Sequence, residues 1–282
     1  MSAPLPSMAV ALLACPVCGA RLQADDSGLT CTVGHAFDRA RQGHVTLLPP
    51  GRPAPAGDSA PMVADRVGFL SAGHYAGLTT ALADAVLTDG HPRAVVDAGG
   101  GTGHHLAGVL DRAPDAVGVV LDSSAYAARR AARAHPRAMA VVTDTWGRWP
   151  VRSSAADRVL VVFAPRNAAE TRRVLRPDGR LVVVTPTADH LRELVGPLGL
   201  LTVDPDKATR LAAALEPHLD VVRSTTHTES LRLDHAAVLS LVGMGPHARH
   251  VQPETLAAAV AGLPEPVEVV LSVDVATYAP RG

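Results

Sequence analysis

The stretch Ala94-Val-Val-Asp-Ala-Gly-Gly-Gly-Thr-Gly103 is a short apolar segment that runs directly into a glycine-rich turn. The residues that follow, HHLAGVLDRA, are compatible with a helix, so the pattern predicts a strand, a tight turn and a helix. Gly99, Gly101 and Gly103 permit positive φ angles and allow backbone N–H groups to approach a ligand at the start of the helix. The sequence therefore predicts a ligand site at this turn.

The spacing of the glycines excludes two common phosphate-binding loops. In the dinucleotide pattern G-x-G-x-x-G the third glycine would fall on His104 or Leu106, depending on the starting glycine. A P-loop needs Gly-Lys-Ser/Thr, and no lysine lies near this turn. The order D-x-G-x-G-x-G, with Asp97 ahead of the glycines, instead suits a nucleoside with a cationic amino-acid end, such as S-adenosylmethionine. The carboxylate of Asp97 would suit the ammonium group of that ligand.

Two further apolar segments end in acids. Val117–Asp122 is predicted to be the second strand, and the carboxylate of Asp122 lies where ribose hydroxyls would need an acceptor. Met139–Asp144 is predicted to be the third strand, and Asp144 is either an adenine contact or a helix cap, with the general base as a further candidate role by position. Acids at the carboxyl ends of neighbouring strands line the crevice in which open α/β sheets bind ligands.

The remaining pattern predicts the rest of a doubly wound parallel sheet. Val159–Phe163 and Leu181–Thr185 are predicted strands, separated by the helical segment NAAETRRVLRPDG. Near the C-terminus, VEVVLSVDVATYA is predicted to be a long strand that pairs antiparallel with DVVRSTTHTESLRL. The predicted fold class is α/β, with the class I (Rossmann-like) sheet of methyltransferases.

Three cysteines and one histidine near the start of the chain have the spacing of a metal site. Cys15, Cys18, Cys31 and His35 form the pattern C-x2-C-x12-C-x3-H. These residues can converge on Zn²⁺ as three thiolates and one imidazole, and four protein ligands leave no position for water or substrate. We therefore predict a structural zinc, which would supply much of the folding free energy of so small a module. The alternative is a set of unlinked thiols and a solvent-facing His35.

The segment ALLACPVCGA, residues 11–20, has two other interpretations. A redox dithiol should open a helix, but Cys18 is followed by Gly19 and a short polar segment. A secretory or lipoprotein signal should begin with basic residues, which MSAPLPSMAV lacks. Three cysteines are also too few for a secreted disulfide framework, and no apolar run is long enough to span a membrane. We expect a cytoplasmic protein without a membrane partner.

Size and charge allow one large domain with an accessory module. The chain has 282 residues, of which 47% are hydrophobic, and a formal net charge of -1. A nucleic-acid partner would therefore be held by local arginine clusters, of which the predicted helix with Arg129, Arg130, Arg133 and Arg137 is one candidate. The segment LLPPGRPAPAGDSAP is predicted to be a linker.

With these residues in place, the chain resembles the bacterial 23S rRNA (guanine-N1)-methyltransferases of the RlmA family, and particularly their tylosin-resistance branch. The resemblance covers nearly the whole chain and is most specific where the zinc module is joined to GDSA and AGHY. It extends through the segments VVDAGGGTGHHLA, VFAPRNAAETRRVLRPDG, TPTADHL and MGPHARH. One departure is Gly43-His-Val-Thr-Leu-Leu, where relatives often have an aromatic residue in place of His44.

The resemblance implies zinc on the four ligands and adds contacts to S-adenosylmethionine from Tyr75, Gly101, Thr102 and His190. The implied reaction is methylation of N1 of a guanine in a domain II hairpin of 23S rRNA at the exit tunnel, with macrolide resistance as its role. Phe163 could stack on the acceptor base and Asn167 could read its edge, whereas no side chain stands out as the general base. The expected partner is RNA and not DNA, and the family suggests a homodimer.

The expected organisation has three parts. Residues 1–50 would form a zinc-binding RNA-recognition module, 51–92 a linker with leading helices, and 93–282 the methyltransferase domain. Two other functions remain open at this point. A small-molecule methyltransferase would share the sheet and the glycine turn, and a non-enzymatic zinc-stapled RNA-binding protein would have a turn that binds no cofactor.

Overall fold

The computed structural model describes residues 4–51, 56–200, 213–245 and 252–281. In that part of the chain the helices are α1 (Ser7–Val10), α2 (Ala60–Ser71), α3 (Ala76–Leu87), α4 (His104–Arg112), α5 (Ala125–Ala131), α6 (Ala168–Val174), α7 (Arg192–Leu198), α8 (His235–Gly243) and α9 (Pro253–Ala261). The strands are β1 (Leu22–Ala24), β2 (Gly28–Cys31), β3 (Ala36–Asp38), β4 (Val45–Thr46), β5 (Ala94–Ala98), β6 (Val117–Asp122), β7 (Ala138–Val142), β8 (Ala156–Val162), β9 (Leu175–Pro186), β10 (Leu219–Leu233) and β11 (Val267–Pro280).

An eight-stranded sheet organises the molecule, in the order β10-β11-β9-β8-β5-β6-β7-β4. Neighbouring strands from β9 to β4 are parallel, whereas β11 pairs antiparallel with both β9 and β10. Strands β1, β2 and β3 form a separate antiparallel sheet. The predicted α/β class, its class I sheet and the antiparallel pair at the C-terminus are confirmed.

Most predicted strands have nearly the predicted bounds, and the second strand, Val117–Asp122, matches them fully. The helical prediction for NAAETRRVLRPDG is wrong over its second half, because α6 ends at Val174 and β9 begins at Leu175. Pro177 lacks the N–H that a continued helix would need. The third strand ends at Val142, so Asp144 lies two residues beyond it.

Alternating residues of the parallel strands face two different cores. In β5, Val95 packs with α2, α3, α4 and α8, whereas Val96 packs on the opposite face with α1 and the small sheet. Period-two alternation of this kind places Asp97 on the same face as Val95. The polar side chain at the end of the strand therefore lies on the helix-covered face.

The N-terminal module shares its core with the large sheet. Leu22 and Leu29 belong to the same buried cluster as Leu121 and Val141. Strand β4 goes further and joins the large sheet, pairing parallel with β7 at its edge. The apolar side chains of this small module are therefore buried against the large sheet and not in a separate core.

Some predicted segments lie partly outside the described residues. These are residues 52–55 of the linker segment and residues 246–250 of MGPHARH. Among the helices that the structure does describe, none combines the length and apolar character needed to cross a bilayer.

Candidate functional site

Cys15, Cys18, Cys31 and His35 converge at the tip of the N-terminal module, with their ligand atoms all within 4.8 Å of one another. The Sγ atoms of Cys18 and Cys31 are 3.7 Å apart, and His35 Nδ1 is 3.7 Å from Cys15 Sγ and 3.4 Å from Cys31 Sγ. Tetrahedral Zn²⁺ with Zn–S of about 2.3 Å and Zn–N of about 2.0 Å requires separations of roughly 3.8 Å and 3.5 Å. The predicted ligand set therefore fits zinc.

The surroundings of Cys31 favour the thiolate form of this ligand. Desolvation raises the pKa of the Cys31 thiol, but hydrogen bonds from the backbone N–H groups of Val33 and His35 and from the side chains of His35 and Cys18 together lower it to about 6. The N–H of His35 donates to Cys31 Sγ at 3.3 Å. Backbone donors of this kind orient metal ligands, which is the arrangement expected of a structural site. The alternative with a solvent-facing, unlinked His35 does not describe this geometry.

A second site lies at the carboxyl ends of the parallel strands, where a cavity of about 940 Å³ opens beside the glycine turn. Seven of the eight predicted cofactor residues line it: Tyr75, Asp97, Gly99, Gly101, Thr102, Asp122 and His190. The eighth, Gly103, caps α4 with φ of +75° and faces Ala131 of α5, so it serves the turn and not the cavity wall.

Asp97 is a buried acid at the wall of this cavity, with a side chain that is only 1% exposed. Its Oδ1 atom has no hydrogen-bond partner among the described residues. Burial raises the pKa of Asp97 to about 7, and the charge of Asp122 adds to the effect. An unpaired carboxyl oxygen in such a place needs a donor or a cation, which the ammonium group of S-adenosylmethionine would supply.

The glycine turn forms a cradle that side chains would fill. A Cβ atom on Gly99 would come within 2.5 Å of Ala164, and one on Gly100 within 2.3 Å of Asp97 Oδ2. Gly101 has φ of +56°, and its N–H donates to Asp122 Oδ2 at 2.9 Å. Glycine is therefore needed where the turn packs against Ala164 and Asp97, and the same turn lines a cavity whose donor set fits an adenosyl amino acid.

Asp122 is held on both oxygens. Oδ1 accepts the N–H of Ser124 at 2.8 Å, while Oδ2 accepts that of Gly101. Burial raises the pKa of Asp122, the two backbone donors oppose this, and the charge of Asp58 adds to the increase. Each carboxylate oxygen has a second lone pair, so the acid can still accept from ribose hydroxyls in the cavity.

Arg66 of α2 brings a cation to the same turn. Its Nη1 lies 2.5 Å from Asp58 Oδ2, and its Nη2 donates to the carbonyl of Met244 at 2.9 Å. The same Nη1 atom would be 3.0 Å from a Cβ atom on Gly101. Sequence reasoning did not identify Arg66 or the carboxylate of Asp58 as part of the site.

Three rings form one wall of the cavity. Phe163 lies 6.4 Å from the ring of Tyr75 and 5.7 Å from that of His190. Phe163 has φ of +52°, a left-handed conformation that is costly for a residue with a side chain and is concentrated at functional sites. Its side chain is 43% exposed, so Phe163 is not the core strand residue that its position in an apolar run would suggest.

The predicted acceptor contact of Asn167 and the predicted adenine contact of Asp144 do not fit the structure. Asn167 caps α6, and its side-chain amide donates to the carbonyls of Trp146 and Gly147 at 2.8 and 3.0 Å. Both amide hydrogens are thereby used, so Asn167 positions a loop and does not read a base edge. Asp144 accepts the N–H of Trp146 at 2.9 Å and is not among the cavity-lining residues.

The loop that Asn167 holds exposes Trp146 at the cavity. The side chain of Trp146 is 65% exposed and lines the opening together with Phe163. A large exposed aromatic at a cavity mouth is a platform for a flat ligand. Two tryptophans follow the third strand, and periodicity alone does not distinguish the exposed Trp146 from Trp149, which is buried in the core.

The predicted basic helix face is smaller than its sequence indicated. Arg137 donates to the carbonyls of Leu110, Ala113 and Ala116, and so caps the end of α4. Arg129 remains exposed and stacks over the exposed ring of Tyr126, with its Cζ 5.2 Å from the ring centroid. The other exposed arginines of this surface are Arg130 and Arg133.

Comparison with known proteins gives the same assignment for both sites. The RlmA N-terminal zinc-ribbon model matches residues 13–52. The 23S rRNA (guanine(748)-N(1))-methyltransferase of Streptomyces fradiae is 52% identical, over 94% of this chain and 95% of its own length. The chain belongs to the 23S rRNA (guanine-N1)-methyltransferase family. A protein of Micromonospora griseorubida, named as a candidate member of the same family, is 53% identical over 95% of this chain and 97% of its own.

Solved structures agree on the fold of this family member. A candidate methyltransferase of Haloferax volcanii, solved in complex with the Trm112 methyltransferase activator, matches with a TM-score of 0.53 and 17% identity. The match covers 80% of this chain and all of the other. This match confirms the fold, whereas the family that the sequence motifs indicated is confirmed by the relatives that are 52% and 53% identical.

Proposed function

We propose that this protein transfers the methyl group of S-adenosylmethionine to N1 of a guanine in 23S rRNA. The observation that carries the proposal is the 52% identity, over nearly the whole chain, to the Streptomyces fradiae enzyme that is named for guanine 748. The proposed target is the corresponding guanine in the domain II hairpin at the exit tunnel. The proposed role is resistance to macrolides of the tylosin type.

The part of the cavity lined by Asp97, Asp122 and the glycine turn supports this reaction, and we call it the cofactor half. Asp97 would hold the ammonium group, Asp122 the ribose hydroxyls, and the turn at Gly101 and Thr102 would bring backbone close to the ligand. When bound, S-adenosylmethionine supplies an electrophilic methyl group on sulfur. The residues of the chain position it in line with the acceptor nitrogen, which is the main contribution that a methyl transfer needs.

The part of the cavity near Phe163 and Trp146, the acceptor half, suits an RNA base that is unpaired or flipped out of its helix. N1 of guanine lies on the pairing edge, so the base must be unpaired or flipped to reach the cavity. Phe163 and Trp146 are the exposed rings at the opening and would stack on it.

The N-terminal module and the neighbouring helix α5 would hold the RNA. A Cβ atom on Gly43 would lie 3.4 Å from that of Ala132, so the module packs directly against the end of α5. The exposed arginines and Tyr126 of α5 therefore continue the surface of the module, where guanidinium and aromatic groups suit phosphates and unstacked bases. Zinc would act only as a structural support.

The organisation of the whole molecule belongs to the same proposal. Residues 1–50 form the RNA-recognition module, 51–92 the connection and leading helices, and 93–282 the catalytic domain. An enzyme that modifies rRNA would work in the cytoplasm. The homodimer suggested by the family is tested by sedimentation equilibrium of the purified protein.

Primer extension tests the proposed function. Protein-free 23S rRNA from a susceptible bacterium is incubated with the protein and S-adenosylmethionine, because N1-methylguanine blocks reverse transcriptase on the pairing edge. We expect one new stop in the domain II hairpin, absent with Gly101→Arg, whose side chain fills the turn. If the protein binds S-adenosylmethionine but produces no stop, the rRNA assignment is wrong and a small-molecule acceptor replaces it. If it binds RNA but no cofactor, the protein is a non-enzymatic RNA-binding module.

A further inference from the structure

We infer that Arg66 is the binding residue for the carboxylate of the cofactor's amino-acid end, and that Asp58 occupies this subsite until the cofactor displaces it. The inference rests on the proposed function, since it takes S-adenosylmethionine as the ligand. The ligand class is an α-amino acid attached to adenosine, which carries both an ammonium and a carboxylate.

Two opposite charges lie at adjacent positions of the glycine turn. Asp97 Oδ2 would be 2.3 Å from a Cβ atom on Gly100, and Arg66 Nη1 would be 3.0 Å from one on Gly101. A zwitterionic ligand at this turn can therefore place its ammonium near Asp97 and its carboxylate near Arg66. Guanidinium groups suit carboxylates because they present several donors in one plane.

The nitrogen that faces the turn is also the one that Asp58 contacts. Arg66 Nη1 lies 2.5 Å from Asp58 Oδ2, and both side chains line the cavity. Nη2 is held separately by the carbonyl of Met244, which fixes the guanidinium in place without using Nη1. The carboxylate of Asp58 thus occupies the position that a ligand carboxylate at Gly101 would need.

The main chain of Asp58 is anchored independently of its side chain. Its backbone carbonyl accepts from Ser124 Oγ at 2.6 Å, so the main chain stays anchored while the side chain turns away. Exchange of Asp58 for the ligand carboxylate leaves Arg66 paired with one carboxylate, so the charge at this position is unchanged.

The other basic side chains that line the cavity suit this role less well. Burial lowers the pKa of His105 to about 3, with smaller contributions from His104 and Arg66, and burial also lowers that of His104. These histidines are therefore neutral near pH 7. Arg166 follows β8 and also lines the cavity, but its guanidinium lies near Tyr278 of β11, and His190 Nδ1 accepts the N–H of Ser272 of the same strand.

A pair of ligands that differ only in the carboxylate tests the inference. S-adenosylhomocysteine and its decarboxylated form, S-adenosyl-3-thiopropylamine, are titrated calorimetrically into the wild-type protein, Arg66→Met and Arg66→Lys. The matched control is Arg112→Met. Arg112 pairs with Asp84 at 2.7 Å, and neither residue lines the cavity.

The wild type should prefer the ligand with the carboxylate by about 10- to 100-fold, the range for a charge-assisted hydrogen bond. Arg66→Met should abolish this preference by weakening only S-adenosylhomocysteine, Arg66→Lys should retain part of it, and Arg112→Met should retain all of it. Equal weakening of both ligands by Arg66→Met, or no preference in the wild type, would overturn the inference while leaving the cofactor assignment intact. If neither S-adenosylhomocysteine nor S-adenosylmethionine binds the wild type, the proposed function itself fails.

A second variant tests the exchange. Asp58→Asn removes the competing charge but keeps the shape of the side chain, so S-adenosylhomocysteine should bind about 3- to 10-fold more tightly. The decarboxylated ligand should show no such gain. Weaker binding of S-adenosylhomocysteine to Asp58→Asn would mean that Asp58 supports the ligand and does not compete with it.

Discussion

The carboxylate of Asp122 accepts the backbone N–H of Gly101 at 2.9 Å, so the acid that ends β6 holds the turn that follows β5. A single residue thus shapes the turn and faces the same cavity. Its loss should affect cofactor binding through both the missing acceptor and the released turn.

We expect Asp122→Ala to weaken the binding of S-adenosylmethionine by about 1 to 3 kcal/mol, the scale of a charge-assisted hydrogen bond lost from a buried acceptor. Isothermal titration measures the change. The control is Asp115→Ala, which removes an exposed acid just before β6, at the opposite end of that strand. An unchanged dissociation constant would restrict Asp122 to capping the turn after β6.

Cofactor affinity should depend on pH through Asp97, whose pKa burial and the charge of Asp122 raise to about 7. Below pH 7 the protonated acid no longer attracts the ammonium group, so the affinity for S-adenosylhomocysteine should fall by up to about tenfold per pH unit. Titrations between pH 5.5 and 8 measure this slope, which Asp97→Asn should abolish. An affinity that stays constant from pH 6 to 8 would exclude Asp97 as the partner of the ammonium group.

The same acid should affect the stability of the ligand-free protein in the opposite direction. Between pH about 4 and 7 the folded protein keeps a proton on Asp97 that the unfolded chain has released, so the free energy of unfolding falls as pH rises through this window. Asp97→Asn removes this dependence. At pH 8 its melting temperature without ligand should therefore be no lower than that of the wild type, and a clear decrease would contradict the burial of a charged group.

Loss of zinc should unfold the N-terminal module and weaken RNA binding, while the affinity for the cofactor stays largely unchanged. Cys31→Ser removes one ligand, so we expect disorder before about residue 50 and weaker RNA binding, with cofactor affinity largely retained. Metal analysis should give one Zn²⁺ per wild-type chain. Hydrogen exchange locates the loss of structure, and full protection of the module in the presence of a chelator would refute a structural metal.

Substitution of the exposed rings Phe163 and Trp146 should weaken binding of the acceptor base without weakening binding of the cofactor. Replacing an aromatic stacking platform by alanine costs about 1–3 kcal/mol per stacked base. We therefore expect Trp146→Ala to reduce kcat/KM for rRNA about 10- to 100-fold and to change the affinity for S-adenosylhomocysteine by less than about twofold. Tyr126→Ala, an exposed aromatic on α5, is the comparison, since it should weaken RNA binding without affecting the chemical step. Equal loss of cofactor affinity in Trp146→Ala would place its ring against the cofactor.

The parts of the fold that follow from local pattern were predictable. The glycine turn and Val117–Asp122 combine a short apolar run with a polar end, and parallel order brings these ends to one edge of the sheet. The zinc ligands were predictable for a similar reason, because their spacing within the chain is itself the signal.

Contacts between a side chain and a distant backbone group leave no periodic signal. Arg66 reaches the glycine turn from a helix that precedes β5, and Asn167 uses its amide on carbonyls of another loop. Arg137 looked like part of a basic face but satisfies carbonyls at the end of α4. In each case the residue type was visible in the sequence, but its partner is fixed only by the tertiary structure.

Strand β4 has only Val45 and Thr46, yet it covers the outer edge of β7, all of whose residues are buried. An uncovered apolar edge strand presents unpaired N–H and C=O groups and readily pairs with other chains. If the module unfolds after losing its metal, β4 no longer pairs with β7, and the edge of β7 is exposed while the rest of the sheet remains folded. Metal depletion should then cause aggregation through the β7 edge, so that the yield of intact enzyme in a cell would follow its zinc supply.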